Sequence, residues 1–428
     1  MDLFYEYCKT HYESFDEIQI YYAKYKDRIE SYYKKHKEHQ DINHINDTFR
    51  ESCENGHLHV AQWLHSLGII NIHAKNDIAF QCSCANGHIH IAQWLHSLGN
   101  INIHADNEKS FRSGCTNGYI EVAQWLYSLG DTSVSDKQNI NIHAEDEWAF
   151  RWSCHNGHLN IAQWLYFLGD TSVSGKQNIN IHAEDEWAFR WSCSMGHLDV
   201  VQWLYSLGNV DIRAMNESAL KWSCTRGHLN VAKWLYSLGS VNIHINNDLI
   251  FNWTCFCGHL DVVQWLYSID INVFHSIVPD AFRQSCLGGK LNVAQWLYSL
   301  DDISVLGKQS IDIHTDDEKV FRLSCLNGYL NVAQWLYSLG NVNIHANNEE
   351  AFKWSCYNGH LSVVQWLYSL DNFNIRDHSD GAFEWSCKNS HLSVAQWLAN
   401  MCCDFKILNI NKSIQYKILP CLPGELKY

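Results

Sequence analysis

Proline is nearly absent, with three residues in 428. No stretch approaches the ~18 consecutive apolar residues that mark a membrane span, and the opening Met1-Asp-Leu-Phe-Tyr-Glu has neither the basic nor the apolar region of a secretory leader. Positive charge is in deficit: 31 Lys+Arg stand against 46 Asp+Glu, a net charge of −15, which disfavours an overall grip on nucleic-acid phosphates. The patterns Gly-x-x-x-x-Gly-Lys-Ser/Thr, His-Glu-x-x-His and Gly-x-Ser-x-Gly are all missing. Catalysis usually needs a singular set of polar residues, and here every striking pattern recurs once per repeat. These absences predict a protein that is not an enzyme, soluble and cytoplasmic, with no membrane or nucleic-acid partner and no cofactor.

What is present is an ordinary globular balance, 46% apolar and 18% charged. Seventeen cysteines would suit an oxidised secreted scaffold only in a short chain, and an odd count leaves one unpaired. Reduced thiols are expected. Gln/Lys-Trp-Leu recurs with its indole at Trp63, Trp94, Trp125, Trp164, Trp203, Trp234, Trp265, Trp296, Trp335, Trp366 and Trp397. The steps are 31 or 39 residues, so a 31-residue period carries an eight-residue insertion three times, at 131–138, 170–177 and 302–309. A cysteine lies ten residues before each Trp, from Cys53 to Cys387, and in ten of eleven copies a Phe lies four residues before that cysteine, Leu220 being the exception. One register covers 41–400 and rules out a division into unlike domains.

Within a copy the apolar spacing is helical. Asn or Asp four residues before Phe (Asn76, Asn107, Asp146, Asp185, Asn216, Asn247, Asp317, Asn348) suits a helix N-cap, and the acid that follows suits the positive end of the helix dipole. Pro279 stands at that point in the eighth copy, where a first turn tolerates it. This helix A leads through a turn, commonly Asn-Gly-His, into Leu-x-Val-Ala/Val-Gln-Trp-Leu-Tyr-Ser-Leu, helix B. Gly at 68, 99, 130, 169, 208, 239 and 340, or Asp at 270, 301 and 371, is expected to stop helix B in the left-handed region. The following Ile/Val-Asn-Ile-His alternates and reads as an extended hairpin arm. Such a unit cannot bury its apolar face alone, and stacking supplies the missing core.

Segments such as Gly359-His-Leu-Ser-Val-Val-Gln-Trp-Leu resemble the Gly-His-x-x-Val-Val-x-x-Leu-Leu segment of ankyrin repeats. The likeness covers about 360 residues and implies an all-α solenoid of helix-turn-helix repeats joined by short hairpins. The family's Thr-Pro-Leu-His opening of helix A is replaced by segments such as Glu350-Ala-Phe-Lys, which accounts for the scarce proline. The richness in Asn, Ile, Tyr and Lys is similar to the ankyrin-repeat families of giant DNA viruses of amoebae. That resemblance implies a monomeric protein-binding scaffold, a viral factor engaging a host protein in the host cytoplasm. Residues 1–40, with Ile18, Tyr22, Tyr25, Ile29 and Tyr32 on one helical face, read as an N-terminal helical cap, and 401–428 as a capping tail. Leu422-Pro-Gly-Glu-Leu resembles the opening of the F-box-like segment of some viral ankyrin proteins, which makes a ubiquitin-ligase adaptor the alternative.

Cys-x-x-x-His recurs eight times, yet a closed zinc site needs four ligands, and copies stacked about 8–10 Å apart do not share a metal or a disulfide. No metal site is expected. The Trp ladder falls on the family's buried Leu and is assigned to the core. A second column, Trp152, Trp191, Trp222, Trp253, Trp354 and Trp385, is assigned to the core with a partly exposed edge. Basic residues after Phe have an acid four positions earlier, as in Glu108–Arg112, Glu147–Arg151, Glu186–Arg190, Glu217–Lys221, Glu318–Arg322 and Glu349–Lys353, a favourable helical pairing. Function should reside where copies differ. The residue after the cysteine varies, with His155, Ser194, Phe256 and Tyr357 among its forms, and the family resemblance puts it on the concave face. Trp148 and Trp187 replace the family's Thr in copies entered through insertions. These six residues are the candidate protein-binding positions.

Overall fold

The computed structural model describes Lys24 and residues 41–68, 70–130, 139–169, 178–301, 311–371 and 375–401. Lys24 apart, the N-terminal cap lies outside the described residues, as do the three insertions and the tail beyond Met401. All regular structure among the described residues is α-helical, and no strand forms. Two compact units are present, Met1–Ala219 with Lys233–Ser240, and Leu220–Ala232 with Val241–Tyr428. In the first, helices A and B of copies one to five run Asp41–Glu54/Leu58–Ser66, Ala74–Ala85/Ile89–Ser97, Ala105–Thr116/Ile120–Gly130, Ala144–His155/Leu159–Gly169 and Ala183–Met195/Leu198–Ser206. Copy six (Ala214–Thr225, Leu229–Ser237) is divided between the units. The second unit holds copies seven to eleven, and copy eight gains a short helix, Ile271–Ser276.

The core of each copy is Phe (Leu220 in copy six) and Cys from helix A against three apolar residues of helix B. Phe150, Cys154, Ile161, Ala162 and Leu165 are all fully buried. The ladder tryptophans are not: all eleven are half-buried, which corrects the core assignment. At about 100° per residue, Val200, Val201 and Leu204 share one face of helix B, and Trp203 falls to its flank. From there nine of the indoles, from Trp94 to Trp234 and from Trp296 to Trp397, reach an aromatic ring of the preceding copy. Trp203 meets Phe150 at 6.2 Å and Tyr166 at 5.9 Å between ring centroids, and Trp164 meets Phe111 and Tyr127 in the same way.

The expected N-caps and hairpin arms give way to a different device. In copies two to six, nine and ten, three consecutive residues, such as Glu184-Asp185-Glu186, adopt left-handed dihedrals before the right-handed helix begins. Asn and Asp favour that region as they favour N-caps, so one sequence signal served two structures. The third residue turns its carboxylate inward. Glu186 is buried and accepts from His182 Nδ1 at 2.7 Å and from the backbone N–H of Asp211, in the next connection, at 3.2 Å. Asp77, Glu108, Glu147 and Glu318 accept from Asn102, Asn141, Asn180 and Asn343 in the same manner. Those connections are Asx turns: the side chain of Asp211 accepts from the N–H two residues on, as do Asn102, Asn141, Asn180 and Asn343.

The expected helical Glu–Arg pairs are correspondingly not made at Glu108, Glu147 or Glu318, whose carboxylates face inward. Arg112, Arg151 and Arg322 donate instead to carbonyls of the left-handed turns. Two further rails run between copies. Ser153 Oγ donates to the Cys115 carbonyl and Ser192 Oγ to the Cys154 carbonyl, while Asn156 Nδ2 donates to the Thr116 carbonyl.

Glycine has two distinct roles. Ten of the eleven A–B turns carry a glycine with positive φ, and Ser390 adopts +64° in the other. After helix B, Gly68, Gly99, Gly208, Gly239 and Gly340 are left-handed as expected. Helix B instead continues through Gly130 and Gly169 where insertions follow, and Asp270 and Asp371 are extended. At Gly157 a Cβ would stand 2.6 Å from His197 Nδ1 of the next copy, whereas at Gly208 it would meet nothing within 4 Å. Gly208→Ala should therefore cost about 1–2 kcal/mol of backbone strain alone, and Gly157→Ala measurably more in the same urea titration. Leu204→Ala should cost about 2–5 kcal/mol as a fully buried truncation, exceeding Trp203→Ala. The reverse order would restore the indoles to the core.

Candidate binding surface

Helix A buries Phe150, Ser153 and Cys154 and leaves Trp148, Trp152 and His155, at i, i+4 and i+7, on another face. Copy five repeats this with Trp187 and Trp191. The four indoles and the imidazole are half-buried and touch one another. Trp148 stacks on Trp152 at 5.2 Å, Trp152 meets Trp187 across the copies at 5.4 Å, and Trp187 meets Trp191 at 5.6 Å. His155 lies between, 4.8 Å from Trp152, 5.8 Å from Trp187 and 5.4 Å from Trp191. The Arg112 guanidinium sits 5.4 Å over Trp148, and that of Arg151 5.2 Å over Trp187. Arg151 also reaches Glu184 of copy five at 2.9 Å.

Of the six expected positions, Trp148, Trp187 and His155 thus form one cluster. Ser194 does not join it. It is fully buried, because a side chain so short cannot emerge where His155 does in copy four. Phe256 and Tyr357 belong to the second unit. Phe256 is half-buried against Trp253, 5.4 Å away, and Tyr357 is exposed between Trp354 at 5.1 Å and Trp385 at 6.1 Å.

The second Trp column shows the expected exposed edge and more: Trp152, Trp191 and Trp222 are half-buried, and Trp253 is 48% exposed. The family's apolar core position led the sequence reading to expect only an edge of it at the surface. The contrary signal was available: Glu51, Ser113 and Gln284 occupy the same position in other copies. A column that accepts Glu and Gln faces water.

The Cys and His columns diverge. The repeat cysteines lie in the core, and burial pushes their thiols up, to about 12 at Cys286, so little thiolate is available for chemistry. The turn imidazoles reach the preceding copy, where His88 Nε2 lies 3.0 Å from the Glu54 carbonyl and His158 bonds the Thr116 backbone. Among the described residues no three His, Cys, Asp or Glu side chains converge on one point, and no helix is long and apolar enough to cross a membrane.

Two family models match the chain. One describes ankyrin repeats in three copies and matches residues 150–248 and 191–275; the other describes ankyrin repeats in many copies and matches 51–96. Residues 51–96 and 150–275 thus match ankyrin repeats, and ankyrin repeat proteins are generally non-catalytic binding scaffolds. Among solved structures it is similar to an ankyrin repeat family protein from Legionella pneumophila, at 20% identity over 63% of this chain and 79% of that one, with a TM-score of 0.29. No match was found among curated proteins.

Two turn imidazoles give the stack a pH dependence. Burial holds His158 and His360 below the ordinary histidine value, the neighbouring His197 and His391 add to the shift, and the backbone bonds to Thr116 and Leu326 oppose it. With the folded value below the unfolded one, about 6.5, their contribution is complete above that pH and is lost as pH falls through the folded values. The urea midpoint should fall between about pH 7.5 and about pH 5, and His158→Gln with His360→Gln should flatten that slope.

Proposed function

We propose that the chain is a non-catalytic protein-binding scaffold whose binding surface centres on the indole cluster of copies four and five. The observation that carries this reading is four tryptophans and a histidine held half-exposed on adjoining helices A. Large aromatics packed against one another lose little side-chain freedom on binding, and Trp and Arg are the residues most enriched where interface energy concentrates. Their mutual stacking and the overlying guanidiniums pre-order the surface. The insertions 131–138 and 170–177 lead into these same two copies, so segments that most copies lack adjoin the aromatic surface in sequence. Trp354, Tyr357 and Trp385 provide a second aromatic surface in the other unit.

The likeness to viral ankyrin families supports a viral factor acting on a host protein in the host cytoplasm. The ligase-adaptor alternative rests on the resemblance of residues 422–426, which lie outside the described residues, whereas direct binding rests on the aromatic surface of copies four and five. Affinity capture from the native host tests it. Trp148→Ala with Trp187→Ala should reduce partner recovery by an amount equivalent to about 2 kcal/mol or more, while shifting the unfolding midpoint less than Leu204→Ala does. Normal recovery with a much earlier unfolding transition would assign these indoles to stability alone.

A further inference from the structure

We propose that the indole cluster receives a basic peptide segment, whose Arg or Lys side chains lie on the indoles and pair with the carboxylates of the adjoining left-handed turns. This rests on the docking reading above and adds the chemistry of the partner.

Charge is the first support. Each left-handed turn directly precedes its helix A, so its carboxylates stand within a few residues of the aromatic face. Asp106, Glu145, Asp146, Glu184 and Asp185 are all exposed, five carboxylates from three successive copies. The guanidiniums facing them are Arg112, Arg151 and Arg190, which donate to carbonyls of these same turns. Arg151 also pairs with Glu184 and Arg190 interacts with the Asp185 charge, whereas among the described residues no side chain donates a hydrogen bond to Asp146 or Asp185. The surface keeps an excess of negative charge in a chain of net charge −15, which favours a cationic partner and repels nucleic acid.

The protein's own arginines supply the second. Arg151 lies over the Trp187 indole and at the same time bonds Glu184, one residue type recognised by a π-face and a carboxylate of the next copy. Arg112 repeats the first half of that contact on Trp148. A partner guanidinium or ammonium would use the same pair of features, with Asp146 or Asp185 as the carboxylate. Successive copies are about 10 Å apart, and a polyproline-II chain has three residues per turn and advances about 3.1 Å per residue, so basic residues at every third position fall on one face at close to the repeat spacing.

The test is calorimetric titration of the full chain with a synthetic peptide of repeated Arg-Leu-Ser, beside a peptide with Glu in place of each Arg. The Arg peptide should bind, with affinity falling as salt is raised. Trp148→Ala with Trp187→Ala should weaken it about tenfold, and Asp146→Asn with Asp185→Asn should also weaken it. Asp316→Asn with Asp317→Asn should leave it unchanged, since in copy nine the same turn precedes Lys319 where copies four and five have Trp. Equal binding of the Glu peptide, or an equal loss from the copy-nine variant, overturns the proposal in favour of an acidic partner or of unspecific attraction. Capture of the native partner separates the two readings. If the Trp variant loses it and the Asp146/Asp185 variant keeps it, docking stands and the basic partner falls; if both keep it, docking itself falls.

Discussion

A carboxylate taken out of water demands hydrogen-bond donors, and in this protein the donors come from two different copies. Glu186 is held by His182 of its own connection and by the Asp211 backbone of the next. Without those bonds, burying the carboxylate would cost several kcal/mol; with them, the connection between copies is locked to the helix it leaves. The left-handed triplet is what aims the carboxylate inward. Three residues in that region are costly for side chains other than Gly, Asn and Asp, at about 1–2 kcal/mol each. The burial and the turn therefore require each other, and the surface described above depends on both. The turn fixes where helix A starts and so which face carries Trp148 and Trp187.

The repeat, the helix pairs and their core were legible because they follow from periodicity. Phe, Cys and the apolar triplet of helix B recur at fixed intervals, and helical spacing is enough to put them on one side. The left-handed turn was not legible, since Asn and Asp are favoured both there and at N-caps, and composition does not separate the two. The inward turn of the glutamates was hidden for a related reason. Glu108 with Arg112 satisfies the rule for a surface helical pair, and only the backbone of the following connection shows that the carboxylate has a stronger claim elsewhere.

The candidate site was legible in part. Variation between copies pointed to Trp148, Trp187 and His155, which do meet. It also pointed to Ser194, which is buried, because variability marks a position and says nothing about how far a given side chain reaches. Family analogy placed both tryptophan columns too deep. It set the helix B ladder in the core, where the adjacent Leu sits, and it understated the exposure of Trp253, Trp354 and Trp385, expected at an edge only. Residue size explains both errors: an indole is too large for a slot shaped by Leu, and it settles between copies or at the rim.

The carboxylate link also sets what the chain can vary freely. Donor and acceptor are 25 residues apart in sequence for Asp77 with Asn102 and 33 for Glu108 with Asn141, yet the same bond forms. Eight residues enter between helix B and the connection without shifting the register of either neighbour. Since closing a longer loop costs only about 0.6 kcal/mol per doubling of length, that junction is a natural graft point. New sequence can be inserted there, and tried against new partners, while the architecture on both sides is inherited intact.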